Sequence, residues 1–251
     1  RKDTKRLTRV LHAFASSSRM RPSVHTYGLL IKAYSVLKQV ARCWDLWRDM
    51  VEERAIEPND ITLSCMLDAL ICAGHAEEAV SLFGVWKERV PPNTVIYSTL
   101  IKGFTSLGDP GRAMEAYREL RGKGLKMNLV AYTTLIDAHA RAGDMDQANR
   151  LLQQMQEDDC RPNTITYSTL VKGYCVCGDL DSAFATFRGM LSRGLAADTV
   201  VFNTMLDGCV RHSRFELADQ LLADMGKYPI EPSNFTLSIV VKMWGKRRRL
   251  D

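Results

Sequence analysis

The segments Thr94-Val-Ile-Tyr-Ser-Thr-Leu-Ile-Lys-Gly-Phe104 and Thr164-Ile-Thr-Tyr-Ser-Thr-Leu-Val-Lys-Gly-Tyr174 are nearly one string, set 70 residues apart. Leu129-Val-Ala-Tyr-Thr-Thr-Leu-Ile-Asp-Ala-His139 stands midway between them. Following the residue in the fourth place along the chain gives Tyr27, Leu63, Tyr97, Tyr132, Tyr167, Phe202 and Leu237, separated by 36, 34, 35, 35, 35 and 35 residues. A unit this short cannot close a hydrophobic core alone, so it must bury its apolar face against its neighbours in a stacked array. The period marks six full repeats, 24–59, 60–93, 94–128, 129–163, 164–198 and 199–233. Residues 1–23 read as a capping helical remnant and 234–251 as the first helix of a seventh unit, and no Gly/Ser-rich linker breaks the array, so 1–251 reads as one domain.

Within each repeat the apolar residues recur at i, i+3, i+4 and i+7, the pattern of a helix with one buried stripe. Tyr97, Leu100, Ile101 and Phe104 make such a stripe in a first helix, and Ala148, Leu151, Leu152 and Met155 make one in a second. Gly74, Gly108, Gly143 and Gly178 fall between the two, where a residue tolerant of positive φ closes the first helix. Gly124 and Gly194 stand at the end of the second. Asn59, Asn93, Asn128, Asn163 and Asp198 precede successive first helices as candidate N-caps, with Pro58, Pro92 and Pro162 just before three of them. Ala79, Ala113, Ala148, Ala183 and Ala218 allow close helix approach, and Cys43 holds that place in the first repeat.

Charge is distributed unevenly. Residues 1–21 carry seven Lys/Arg against Asp3 and residues 242–251 carry five against Asp251, so with a total of +5 the stretch between them is net −5. Such an array cannot hold nucleic acid by bulk attraction, and any binding must come from a local stripe or from base contacts. Seven cysteines, at 43, 65, 72, 160, 175, 177 and 209, lack the spacing of a zinc site and point to a reducing compartment. Cys175 and Cys177 face different sides of a helix and are expected as small buried hydrophobes near its end. No apolar run approaches the roughly 18 residues of a membrane span. The sequence opens at Arg1 without an initiator Met or an apolar signal segment, which reads as a portion of a longer protein.

The pattern Val-x-Tyr-x-x-Leu-Ile, a mid-repeat Gly, the Ala, an aromatic, a Met and a closing Pro-Asn or Pro-Asp resembles the pentatricopeptide repeat family, and it covers nearly the whole chain. The tetratricopeptide alternative has a period of about 34 residues and a Trp-x-x-Leu-Gly-x-x-Tyr opening, found in none of these units. The resemblance implies an all-α, right-handed superhelical solenoid of helix-turn-helix repeats that reads single-stranded RNA at roughly one base per repeat. It further implies that the fifth and last residues of a repeat select a base while the second residue clamps it. The selecting pairs are then Ser64/Asn93, Ser98/Asn128, Thr133/Asn163, Ser168/Asp198 and Asn203/Ser233, giving a preferred 5′-AAAGC-3′. The clamps are Ile61, Val95, Val130, Ile165, Val200 and Phe235. The first repeat offers Gly28/Asn59 with His25 in the second place, so its base is undefined.

Blander roles accompany these. The Asn and Asp residues would be expected as N-caps even in a protein that binds nothing. Tyrosines, Trp86, His139 and Cys209 fit core positions. Lys32, Lys102, Lys172 and Lys242 alternate with Asp68, Asp137 and Asp207 in the ninth place, which predicts a ladder of salt bridges along the first helices rather than a phosphate track. The basic runs at 1–6 and 246–249 are expected to be solvated, or else to extend an RNA path.

No carboxylate cluster outside the repeats and no deaminase-type His-x-Glu with CxxC is present, so the expected protein is a non-catalytic RNA binder with neither cofactor nor metal. By family resemblance it would act in a mitochondrion or chloroplast, in RNA processing, stabilisation or translation. The alternative is a scaffold subunit of an organellar ribosome or another assembly, holding protein or structured RNA.

Overall fold

The computed structural model describes residues 6, 8, 9, 11, 22–228 and 230–248. The expected cap over 1–23 and Arg249 of the C-terminal basic run therefore fall largely outside the described residues. Among those described there are thirteen α-helices and no strand. Seven are first helices: α1 (Val24–Val36), α3 (Asp60–Cys72), α5 (Thr94–Ser106), α7 (Leu129–Arg141), α9 (Thr164–Cys177), α11 (Thr199–Arg211) and α13 (Asn234–Arg247). Six are second helices: α2 (Val40–Arg48), α4 (Ala76–Trp86), α6 (Pro110–Gly122), α8 (Met145–Glu157), α10 (Leu180–Ser192) and α12 (Phe215–Met225). The chain divides into two compact units, 1–131 and 132–251, with the division inside the first turn of α7.

In the first unit α1 packs on α2 and α3, α3 packs on α4 and α5, and α5 packs on α6. Fourth-place Tyr27, Leu63 and Tyr97 are fully buried, together with Ile31, Leu67 and Ile101 one turn on. In the second unit α9 packs on α8, α10 and α11, and α11 packs on α12 and α13. Val171, Phe202, Leu206, Ala183 and Ala218 form its centre. Each such apolar side chain contributes about 1.5–3 kcal/mol on leaving water, which no single hairpin could collect. The helix-approach residues Cys43, Ala79, Ala113, Ala148, Ala183 and Ala218 are all wholly buried, and Trp86, His139 and Cys209 are also core.

The turn between first and second helices is left-handed in every full repeat. Gly74, Gly108, Gly143 and Gly178 take φ of 73° to 88°, and the same place is held by Lys38 and Ser213 at φ 57°. These two side chains tolerate a conformation that costs a non-glycine residue about 1–2 kcal/mol. The uneven spacing early in the chain also has a local cause. The first repeat has one residue more than the usual 35, and a π-helical turn over Asp49–Glu53 at the end of α2 absorbs it. Asp109, Asp144 and Asp179 cap α6, α8 and α10 with a carboxylate on the backbone N–H three residues on.

The fourth-place tyrosines mostly find a carboxylate. Tyr27 donates to Asp49, Tyr97 to Glu119 at 2.8 Å and Tyr132 to Asp158 at 2.6 Å. Burial, aided by the neighbouring carboxylate, pushes the Tyr27 and Tyr97 hydroxyls above the usual phenol range. The buried Tyr167 hydroxyl lacks a partner, because Gly189 stands where Asp49 and Glu119 stand in their repeats.

Two expectations are corrected. Cys175 is buried but Cys177 is exposed, because residues two apart on a helix point to different faces and the face of Cys177 is not the packed one. Among the described residues the expected Lys–Asp rung forms once, between Lys102 and Asp68 at 2.9 Å. Asp137 and Asp207 instead take Arg141 and Arg211, four residues on in the same helix, a partner pre-positioned by helical geometry.

Candidate nucleic-acid interface

Each of the first helices α3 to α13 begins with a residue whose side chain accepts from the backbone. The Oδ1 of Asn59 accepts the Thr62 N–H at 2.9 Å, and Asn93 accepts from both Val95 and Ile96 at 3.0 Å. Asn128 accepts from Ala131 at 2.9 Å, Asn163 from Thr166 at 3.0 Å and Asp198 from Val201 at 2.9 Å. Ser233 accepts from Thr236 at 3.3 Å. Capping is thus real at every one of these positions, and it commits one oxygen. An Asn so placed retains its amide as a donor, whereas Asp retains a second acceptor.

Just beyond each cap the second-place residue points outward. Ile61, Val95, Val130, Ile165, Val200 and Phe235 are between 49% and 67% exposed; the helices of the first five bury most of their other apolar side chains, whereas α13 also exposes Leu237, Val241 and Trp244. Fifth-place residues lie beside them on the same helix edge, three residues on. Ser64, Ser98, Thr133 and Ser168 are half-buried there. The Ser98 and Ser168 hydroxyls donate to the carbonyls of Thr94 and Thr164 at 2.6 and 2.7 Å, which leaves their lone pairs as the outward function.

The last-place residues differ in what their capping leaves over. Asn128, Asp198 and Ser233 are exposed, and Asn93 and Asn163 are half-buried. The Asn93 amide donates to Asp60 at 2.8 Å, so a base would compete with that carboxylate. In the sixth repeat the fifth and last residues bond each other, with the Asn203 amide 3.4 Å from Ser233 Oγ, and Asn203 is only 5% exposed.

One contributor was missed by sequence reasoning. Threonine stands in the third place of the next repeat at Thr62, Thr166 and Thr236, each buried under a cap. The signal was the spacing Asn/Ser-x-x-Thr, which makes a capping box at Asn59–Thr62 and at Ser233–Thr236.

The ninth place carries exposed Lys32, Lys172 and Lys242 on the same edge, while Lys102 is tied to Asp68. Partial burial works against the Lys102 charge, but the Asp68 hydrogen bond outweighs it and holds the ammonium above its usual range. At the C-terminal end Lys246 donates to the carbonyls of Val210 and Arg211 at 3.1 and 3.3 Å, and Arg247 pairs with Asp219 at 3.0 Å. Two residues of that basic run therefore have structural partners. Among the described residues no three His, Cys, Asp or Glu side chains gather as a metal site, and no helix is long and apolar enough to cross a membrane.

Comparison with known proteins agrees with this architecture. The model of the PPR repeat family matches residues 22–72, 92–141, 127–176, 169–211 and 197–246, and a single PPR repeat matches 61–89. A chloroplastic pentatricopeptide repeat-containing protein of Arabidopsis thaliana is 31% identical over 96 residues, which is 38% of this chain and 12% of that protein. Another from the same plant is 32% identical over 96 residues, 38% of this chain and 17% of its own length. The pentatricopeptide repeat protein PPR10 from maize shares the fold with a TM-score of 0.67 at 26% identity, over 97% of this chain and 37% of that one. PPR10 in complex with an 18-nt psaJ RNA element gives a TM-score of 0.61 at 20% identity, over 95% and 38% of the two chains. This chain spans well under half the length of each.

Proposed function

The chain belongs to the PPR repeat family, and from that premise we propose that it binds single-stranded RNA along the edge of its first helices, roughly one base per repeat. The observation that carries this reading is the row of second-place side chains. Six apolar residues, each about half or more exposed, recur at one place of successive repeats beside hydrogen-bonding caps. Scattered exposed aliphatics need no explanation, but recurrence at one place of successive repeats, three times within each unit, does. Base faces would cover it, with stacking on an aromatic such as Phe235 worth about 1–3 kcal/mol per base and the aliphatic clamps less. PPR10, which shares this fold, has been captured with an 18-nt psaJ RNA element, and this supports the reading.

The base choice is what membership of the family implies for these pairs, and the capping geometry is compatible with it where the last residue keeps a polar group. Ser64/Asn93, Ser98/Asn128 and Thr133/Asn163 present an amide donor and favour adenine, Ser168/Asp198 presents an acceptor and favours guanine, and Asn203/Ser233 leans to cytosine. The preferred strand is 5′-AAAGC-3′. The array acts without catalysis of its own, in the RNA metabolism of a mitochondrion or chloroplast, a setting supported by the chloroplastic relative. A scaffold role, holding protein or structured RNA, is favoured by the net −5 of residues 22–241 and the scarcity of Lys and Arg along the first helices.

Titration against short RNAs tests the reading. A single strand containing AAAGC should bind several-fold tighter than its complement or than the duplex, because the base edges are free only in unpaired RNA. Equal affinity for all three would move the assignment to the scaffold.

A further inference from the structure

We propose that Thr166 and Thr236, in the third place of the fifth and seventh repeats, are positioning residues that govern the base-reading pair of the repeat before them, opening it in one case and closing it in the other. The inference rests on the RNA-binding reading above.

Thr166 is wholly buried, and its Oγ1 lies 3.1 Å from Asn163 Oδ1 and 3.1 Å from Thr133 Oγ1. It therefore touches both members of the fourth repeat's pair. Its backbone N–H also donates to Asn163 Oδ1 at 3.0 Å, so the carboxamide oxygen is held from beneath by two groups of one residue. With the oxygen committed there, the amide is the group of Asn163 that remains to meet a base. Holding the fifth and last side chains in one arrangement before binding removes part of the ordering cost that RNA would otherwise meet.

Thr236 occupies the same place after the sixth repeat and has the opposite consequence. Its Oγ1 donates to Asn203 Oδ1 at 2.8 Å while accepting the Ser233 N–H at 3.0 Å, and the Asn203 amide turns to Ser233 Oγ at 3.4 Å. Both functional ends of Asn203 face inward in a closed triangle. The sixth repeat is thereby shut, and the fifth base of the strand is read weakly although the residue pair suits cytosine. The difference lies in reach, since the longer Asn203 gets to the threonine hydroxyl with its carboxamide, whereas Thr133 arrives with a hydroxyl alone. The third place is apolar at Ile96, Ala131 and Val201, so the pairs of the second, third and fifth repeats lack this control.

One substitution at the two places should have effects of opposite sign. Removing the hydroxyl with Thr166→Val should lower the preference for AAAGC over AAGGC by roughly fivefold, the worth of about one hydrogen bond, while Thr166→Ser keeps the preference. Thr236→Val should instead raise the preference for AAAGC over AAAGA by a similar roughly fivefold factor, because Asn203 is released. A purely structural role would weaken binding to every RNA alike and would not move the ratios. Circular dichroism checks folding, and should Thr166→Val fail to fold, Thr166→Ala and Thr166→Ser make the same comparison across one hydroxyl. Wild type that discriminates the third base, with either ratio unmoved in its variant, overturns this inference and leaves the RNA reading intact. Wild type that binds all the RNAs equally overturns both.

Discussion

The junctions after the fourth and sixth repeats use the same three places and arrive at different arrangements. After the fourth, Asn163 caps α9 with its oxygen and stays half-buried, and Thr133 meets Thr166 through hydroxyls. After the sixth, Asn203 is drawn into the core beneath α13 and bonds Ser233 and Thr236. The helices at the two junctions also meet differently in the tenth place. At Gly173 an added Cβ would lie 2.7 Å from Ala140 Cβ and 2.6 Å from Met145 Sδ, whereas the same place in α13 holds the buried Met243. The contrast teaches that a polar side chain can meet a ligand only where its groups are left over after the fold is satisfied, and residue type alone does not settle that.

The largest test of this contrast is Asn203→Ala. It should lower the unfolding free energy in urea by about 1–3 kcal/mol, the cost of leaving buried partners unsatisfied, while changing affinity for AAAGC little. Unchanged stability with a clear loss of binding would show that Asn203 is a reader and erase the contrast. Gly173→Ala should come next. The methyl gains about 1 kcal/mol of helix propensity, but overpacking against Ala140 costs about 1–3 kcal/mol. A net loss near 1 kcal/mol is expected by denaturation, together with weaker discrimination at the third base and none of this at the fifth. Stability equal to or above wild type would mean that the two helices are not held at close contact.

Asn163→Asp separates capping from reading. Either residue caps well, so stability should move by only a few tenths of a kcal/mol. Exchange of the amide for an acceptor should shift the third base from adenine towards guanine by about 1 kcal/mol, read as a crossover between AAAGC and AAGGC. Asp198→Asn is the reverse experiment at the fourth base, with the smallest effect expected because Asp198 is exposed and Val201 supplies no supporting hydroxyl. A drift from AAAGC towards AAAAC of roughly twofold is anticipated by competition binding, less than one full hydrogen bond. Movement in the other direction would remove the acceptor argument at that repeat.

Much of the fold was legible because its rules are local or periodic. A recurring aromatic or leucine and the stripe behind it mark the buried face of the first helices of the six full repeats, and Asn or Asp followed by that stripe marks the start of five first helices; in α13 the same places, Leu237 and Val241, are exposed. Lys38 and Ser213 were not legible as left-handed turn residues, since nothing in their own chemistry favours positive φ and only the repeat geometry imposes it. The expected ladder failed for a related reason: the closest cation to Asp137 or Asp207 lay one helical turn away, and periodic spacing across repeats does not rank partners by distance. Cys177 was misplaced because two residues on a helix point to different faces and only the face of Cys175 is packed.

The sequence by itself determined the period, the two-helix unit, the caps and the apolar row, since each follows from helical spacing and from backbone N–H groups that need an acceptor. Only the tertiary structure decided which of the polar residues in the fifth and last places are drawn into hydrogen bonds within the fold. That choice depends on a buried hydroxyl from the following repeat, about 30 residues away in sequence yet within hydrogen-bond distance of Thr133 and Asn203. A buried donor or acceptor must be satisfied by whatever lies closest, and what lies closest is set by how one helix stacks on the next.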